Sequence, residues 1–153
     1  MAFGEETTAK VAAMIASKLN ADLIVNEKML DGATVVVAGT HVRMGKFNKR
    51  YIRFVKEGDY DAAVAVRIYT FIVGAEIEKK QKYVDLAEKD SGGKAWYVWG
   101  ELNANKAKGL KKFALQAFID GRRQDGLPTP RLLDKEIAAL CREVMLENQI
   151  TEK

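Results

Sequence analysis

Residues 62–77 (AAVAVRIYTFIVGAEI) form the longest apolar stretch of the chain, and their secondary structure decides the fold. Arg67 interrupts the run, which is also shorter than the ~20 apolar residues a membrane-spanning helix needs, so the segment belongs to a core rather than to a bilayer. Ala62, Ala63 and Ala65 favour helix. Beyond them, Glu76 with Lys80 and Glu78 with Lys82 stand four apart in the favourable acid-first order, and the whole predicts one long helix over 61–89. The segment AVAVRIYTFIV also alternates well enough to make a buried strand ended by Gly74. The first choice gives a mainly α fold, a helical bundle with a short β-hairpin near the N-terminus. The second gives an α+β fold with a three-stranded antiparallel sheet. The alanines and the charge pairing favour the first.

The hairpin is expected from LIVNE and ATVVVAGTHVR, two β-branched runs starting at about Leu23 and Ala33, with turn chemistry at Asp31-Gly32 between them. Before it, Val11, Ala12, Ile15 and Leu19 share one face of a helix over 7–20. Residues 46–57 show the clearest helical period: Phe47, Tyr51, Phe54 and Val55 fall on one side, and Lys46, Lys49, Arg50, Arg53 and Lys56 on the other. Gly58 suits the end of that helix and Asp59 the cap of the next. After the break at Ser91-Gly92-Gly93, a helix over 104–120 has an apolar side of Leu110, Phe113, Ala114, Ala117 and Phe118. Residues 121–128 read as a loop, and a last helix opens at Thr129-Pro130 with Leu133, Ile137, Leu140, Cys141 and Val144 as its buried stripe. No linker-like segment divides the 153 residues, so they read as a single domain, 1–153.

Charge is distributed unevenly. Residues 42–56 carry Arg43, Lys46, Lys49, Arg50, Arg53 and Lys56 without one acid, and 103–123 carry Lys106, Lys108, Lys111, Lys112, Arg122 and Arg123 against Asp120 alone. The net charge of +4 therefore conceals +11 in these two segments and −7 in the remainder. Unopposed cations on one helix face repel one another, and a polyanion relieves that repulsion. Trp96, Tyr97 and Trp99 directly precede the second basic segment, where Trp96 and Trp99 could stack on unpaired bases.

Compact catalytic and metal motifs fail on spacing. The segment GTHVRMGKF after VVVA imitates a phosphate-binding loop, but five residues separate Gly39 from Gly45 where four are needed, and Phe47 replaces the hydroxyl that would bind magnesium. Gly45 and Lys46 at a helix start still suit a backbone phosphate. His41 has no nucleophile or carboxylate partner in sequence. One cysteine and one histidine leave no disulfide framework and too few ligands for structural zinc. The sequence thus marks no catalytic residue, metal or cofactor. With Glu5 and Glu6 where an export signal would carry basic residues, it predicts a cytoplasmic protein.

The function expected is a non-enzymatic nucleic-acid-binding or ribonucleoprotein-type accessory protein. Lys46, Lys49, Arg50, Arg53, Lys106, Lys108, Lys111, Lys112, Arg122 and Arg123 would contact phosphates, with Trp96 and Trp99 as stacking residues. The alternative is an assembly or interaction protein in which the charge dipole meets an acidic protein surface. A homo-oligomeric structural component, of viral or phage type, or an inhibitor of a host protein would fit it.

Overall fold

The computed structural model describes residues 1–4, 6–24, 30, 32–58, 66–100, 107–132 and 134–149. Its elements run β1 (Ala2–Phe3), α1 (Glu6–Leu19), β2 (Val35–Arg43), β3 (Lys46–Phe47), α2 (Lys49–Glu57), β4 (Arg67–Gly74), a 3-10 turn at Ile77–Lys79, α3 (Lys80–Ser91), β5 (Ala95–Trp99), α4 (Gly109–Gln124) and α5 (Asp134–Asn148). The fold is α/β. Strands β1, β2, β4 and β5 lie side by side in that order, all parallel, and β3 pairs antiparallel with the end of β2.

This corrects the expected helical bundle and equally the alternative antiparallel sheet. Residues 67–74 are a strand, not part of a helix over 61–89. Parallel neighbours on both sides, β2 and β5, and helices on both faces bury every residue from Ile68 to Gly74. A strand covered on both faces reads as a continuous apolar run, which periodicity alone does not separate from a buried helix. The alanines that tipped the balance, within 59–65, lie outside the described residues.

The N-terminal hairpin is also overturned. Leu23 and Ile24 are irregular, and 25–29 lie outside the described residues. Strand β2 instead takes β1 and β4 as parallel neighbours, so its flanks are occupied. Its antiparallel partner is β3, reached through a two-residue turn at Met44-Gly45 in which both residues have positive φ (51° and 75°). That is the turn geometry whose twist matches flanking strands. Gly39, the first glycine of the apparent phosphate loop, lies inside β2, where the Phe71 ring of β4 fills the space a Cβ would take.

Two cores sandwich the sheet. On one face α2 and α3 cover Val36, Ala38, Ile68, Ile72 and Tyr97 with Tyr51, Phe54, Val55, Tyr83 and Ala87. On the other, α1 and α5 cover Tyr69, Phe71, Val73 and Val98 with Val11, Ala12, Ile15, Ile137, Leu140 and Val144. The strands progress in one direction across the sheet while α1 takes the opposite face from α2 and α3. The β1–α1–β2 crossover therefore has the opposite hand to the two that follow, an exception carried by a two-residue edge strand. Helix α1 starts one residue before the expected 7–20 span and ends at Leu19. The predicted stripe of α5 is buried at Ile137, Leu140, Cys141 and Val144, whereas Leu133 lies outside the described residues and Thr129-Pro130, the expected start, is irregular chain ahead of Asp134. The expected loop over 121–128 begins later, because α4 continues through Gln124. No helix among the described residues is long and apolar enough to cross a membrane.

Candidate functional site

In a parallel sheet every strand ends at the same edge, and the connections leaving it form the natural binding rim. Here that rim receives the ends of β1, β2, β4 and β5, and its densest feature is the turn from β2 through β3 into α2. Arg43 and Lys46 are direct cross-strand partners flanking the Met44-Gly45 tip, where Met44 is 93% exposed. Two residues after Lys46, Asn48 caps α2: its Oδ1 accepts from the Arg50 N–H at 2.8 Å, and its own N–H donates to Thr40 Oγ1 at 3.2 Å. The first turn of α2 then presents Lys49 and Arg50 to solvent.

The helix beneath is firmly seated. Tyr51, Phe54 and Val55 are buried against Phe3 and Phe47, and Tyr51 Oη hydrogen-bonds Thr70 Oγ1 of β4 at 3.0 Å. Burial pushes the Tyr51 phenol up to about 12, so it is a neutral structural group. The opposite side bears Lys49, Arg50, Arg53 and Lys56, all exposed, as the periodicity predicts. Towards the far end the charges are partly answered, Arg53 by Glu57 at 3.7 Å and Lys56 by Asp90 at 3.0 Å. The Arg50 guanidinium lies 5.7 Å over the Phe3 ring.

Lys49 and Arg50 sit at the positive end of the helix dipole, and that turn holds no acid. Cations there cost ~0.3–1 kcal/mol each, whereas an anion at the same place is stabilised. Arg43 beside Lys46 adds a like-charge cross-strand pair, also unfavourable by itself. Each arrangement is unfavourable taken alone, and both hold positive charge at one spot.

The second basic segment is organised differently. Lys106 lies outside the described residues; Lys108, Lys111, Lys112 and Arg123 are exposed. Arg122 is only 4% exposed. It grips Glu78 through both terminal nitrogens (2.9 and 3.1 Å) and donates from Nε to the Pro128 carbonyl at 2.9 Å, which removes it from any phosphate surface. The arginine holds the Glu78 carboxyl below the usual carboxylate range. Glu78 thus pairs with Arg122 rather than Lys82, and Glu76 with Lys79 rather than Lys80. Trp99 is buried, with its indole donating to the Ala75 carbonyl at 2.9 Å, so it is a core residue unable to stack on a base. Trp96 is half-buried beside Tyr69 on the face covered by α5.

His41 lies near the end of β2 next to Gly4 and Thr8, and its Nδ1 is shielded without a hydrogen-bond partner. Cys141 is buried, which pushes its thiol up. Among the described residues no three His, Cys, Asp or Glu side chains gather in a way that could hold a metal ion. Sequence reasoning missed Arg43 as a site residue and Asn48 as the organising cap. The local signal for both was an Asn two residues before the arginine of an amphipathic helix, preceded by a Met-Gly turn. No family model, no curated protein and no solved structure matches this chain.

Proposed function

We infer that the protein is a non-enzymatic nucleic-acid-binding accessory protein whose phosphate-contacting surface is the turn from β2 to α2. Lys46 and Lys49 are the central contacts, with Arg43, Arg50 and Arg53 extending the surface along the outer side of α2. The observation that carries this reading is the concentration of cations at the positive end of α2 and across the β2–β3 turn, each an arrangement unfavourable taken alone. A polyanion offsets both costs, and phosphates along a strand meet a row of cations without regard to base identity. Helix α2 is nine residues long, so the row spans on the order of 13 Å, enough for about two or three successive phosphates. Arg122 and Trp99 take no part, and Lys108, Lys111 and Lys112 on α4 belong to a separate surface.

Fluorescence anisotropy with labelled single- and double-stranded DNA and RNA tests the assignment. Binding is expected to weaken by ~100-fold or more between ~50 and ~200 mM salt, and Lys46→Glu with Lys49→Glu should lower the log–log salt slope by about two. Unchanged affinity in that variant, with the circular dichroism of the parent, sinks the reading.

A further inference from the structure

Most of the predicted apolar side of α4 is left uncovered by the described residues, Phe118 alone being half-buried, with the Arg122 guanidinium 5.7 Å over its ring. Leu110 is 89% and Phe113 77% exposed, Ala114 and Ala117 are also exposed, and a Cβ added at Gly121 would meet nothing within 4 Å. Residues 109–114 are exposed around the whole helix, so the first half of α4 stands off the body as an arm. Its second half is held on another face, by buried Ile119 and by the clamp of Arg122 on Glu78.

We propose that this open face of α4 packs antiparallel against the same face of a second copy, across a two-fold axis between residues 115 and 116. At about 100° per residue, Leu110, Phe113, Ala114, Ala117 and Gly121 fall in one stripe. Side-chain size changes along it: Leu110 and Phe113 occupy the first half, Ala117 and Gly121 the second. An antiparallel two-fold sets Leu110 opposite Gly121 of the partner and Ala114 opposite Ala117, with Phe113 level with the partner's Phe118 at the edge of the stripe, so the centre is small against small and each Leu110 meets open backbone. A parallel pairing sets bulk on bulk.

The charge gradient has the same sense. Lys108, just before the helix, with Lys111 and Lys112 gives the first half three cations and no acid, while the second half carries Asp120 against Arg123, with Asp125 just beyond and Arg122 neutralised by Glu78, and is close to neutral. The antiparallel arrangement keeps the two cationic halves apart, lays each along the partner's nearly neutral end beside Asp120 and Asp125, and opposes the two helix dipoles. The contact is smaller than the ~800 Å² per partner of a standard interface, so the dimer is weak and concentration-dependent. It stands independently of phosphate binding by α2.

Sedimentation equilibrium of the full chain between ~10 and ~500 µM tests the contact over the range where so small an interface associates. The average mass should rise from 17.0 kDa towards twice that value, and Phe113→Glu should hold it at 17.0 kDa with unchanged circular dichroism. Under oxidation, an equal mixture of Ala114→Cys and Ala117→Cys chains should cross-link between the two variants in preference to either alone, while buried Cys141 stays silent. Lys46→Glu with Lys49→Glu on α2 should leave association intact. A monomer throughout the range, as a lysine arm meant for an acidic protein or for phosphates would give, overturns the proposal. So does a dimer that survives Phe113→Glu or forms no 114–117 cross-link.

Discussion

Helices α2 and α4 carry similar positive charge and similar apolar patterning, yet the fold treats them in opposite ways. Beneath α2 the apolar side is fully used, with Tyr51, Phe54 and Val55 sealed against the sheet and four cations with one acid, Glu57, facing outward. On α4 most of the apolar side is open, and the buried positions, Ile119 and Arg122, lie on another face. Amphipathicity fixes that a helix has a face to bury, but a neighbouring element must be there to receive it. Helix α2 is the crossover between two adjacent parallel strands, which lays it on the sheet. Helix α4 leaves the last strand of the row after all four have been placed, and α5 occupies the remaining space on the far face.

The largest expected effect separates the two phenylalanines. Phe54→Ala should cost about 3–5 kcal/mol, because it empties a site packed against Phe3 at 5.3 Å between ring centres. Phe113→Ala should lie within about 0.5 kcal/mol of the parent at low micromolar protein, since an exposed ring loses little on truncation. Urea unfolding of both variants reads the difference directly. Comparable losses would mean that the first half of α4 is docked on the body after all.

Next in size is the clamp that holds α4. Arg122→Ala leaves Glu78 without its partner and the Pro128 carbonyl without its donor. Half-exposure of Glu78 moderates the loss, so the expected cost is about 2 kcal/mol, concentrated in faster amide exchange over 115–124. The acid response follows from the depressed Glu78 carboxyl. Its ordinary value is 4.5, the folded value lies lower, and stability from the pair is therefore full above 4.5 and disappears as pH falls through the folded value. Amide exchange in α4 of the parent should accelerate over that window. In Glu78→Gln it should be fast already at neutral pH and change much less.

Legibility in the sequence followed how local the cause was. Helix α2 was readable from Lys49 to its glycine end because period and burial agree there, but Lys46 and Phe47, expected in the same helix with Gly45-Lys46 at its start, form β3 instead. The ends of α1 and the stripe of α5 were readable for the same local reason. Strand β4 was not, because its hydrogen-bond partners are Val35–His41 and Ala95–Trp99, and no pattern inside 67–74 announces them. A buried strand and a buried helix share a composition, and only the neighbours separate them. Trp99 was misjudged similarly: its aromatic density suggested a stacking surface, but its indole closes on the Ala75 carbonyl across the sheet edge. The basic residues were all visible as charge. That Arg122 is buried followed from Glu78, 44 positions away.

The smallest predicted effect bears most directly on why α2 is basic at all. Lys49 stands in the first turn of a helix resting on the sheet, so Lys49→Glu replaces a charge the dipole disfavours with one it favours, and should raise global stability by about 0.5–1 kcal/mol in urea unfolding. Lys112 also stands in a first turn, that of α4, but on an arm clear of the body. The same reversal there should slow local amide exchange and leave the global midpoint unmoved, because fraying of the arm is separate from unfolding of the core. Stability and binding should then move in opposite directions at Lys49 alone, with the more stable variant holding labelled nucleic acid less tightly. If Lys49→Glu destabilises the protein, the lysine has a structural partner and the adverse placement of charge at α2 ceases to be evidence for a ligand.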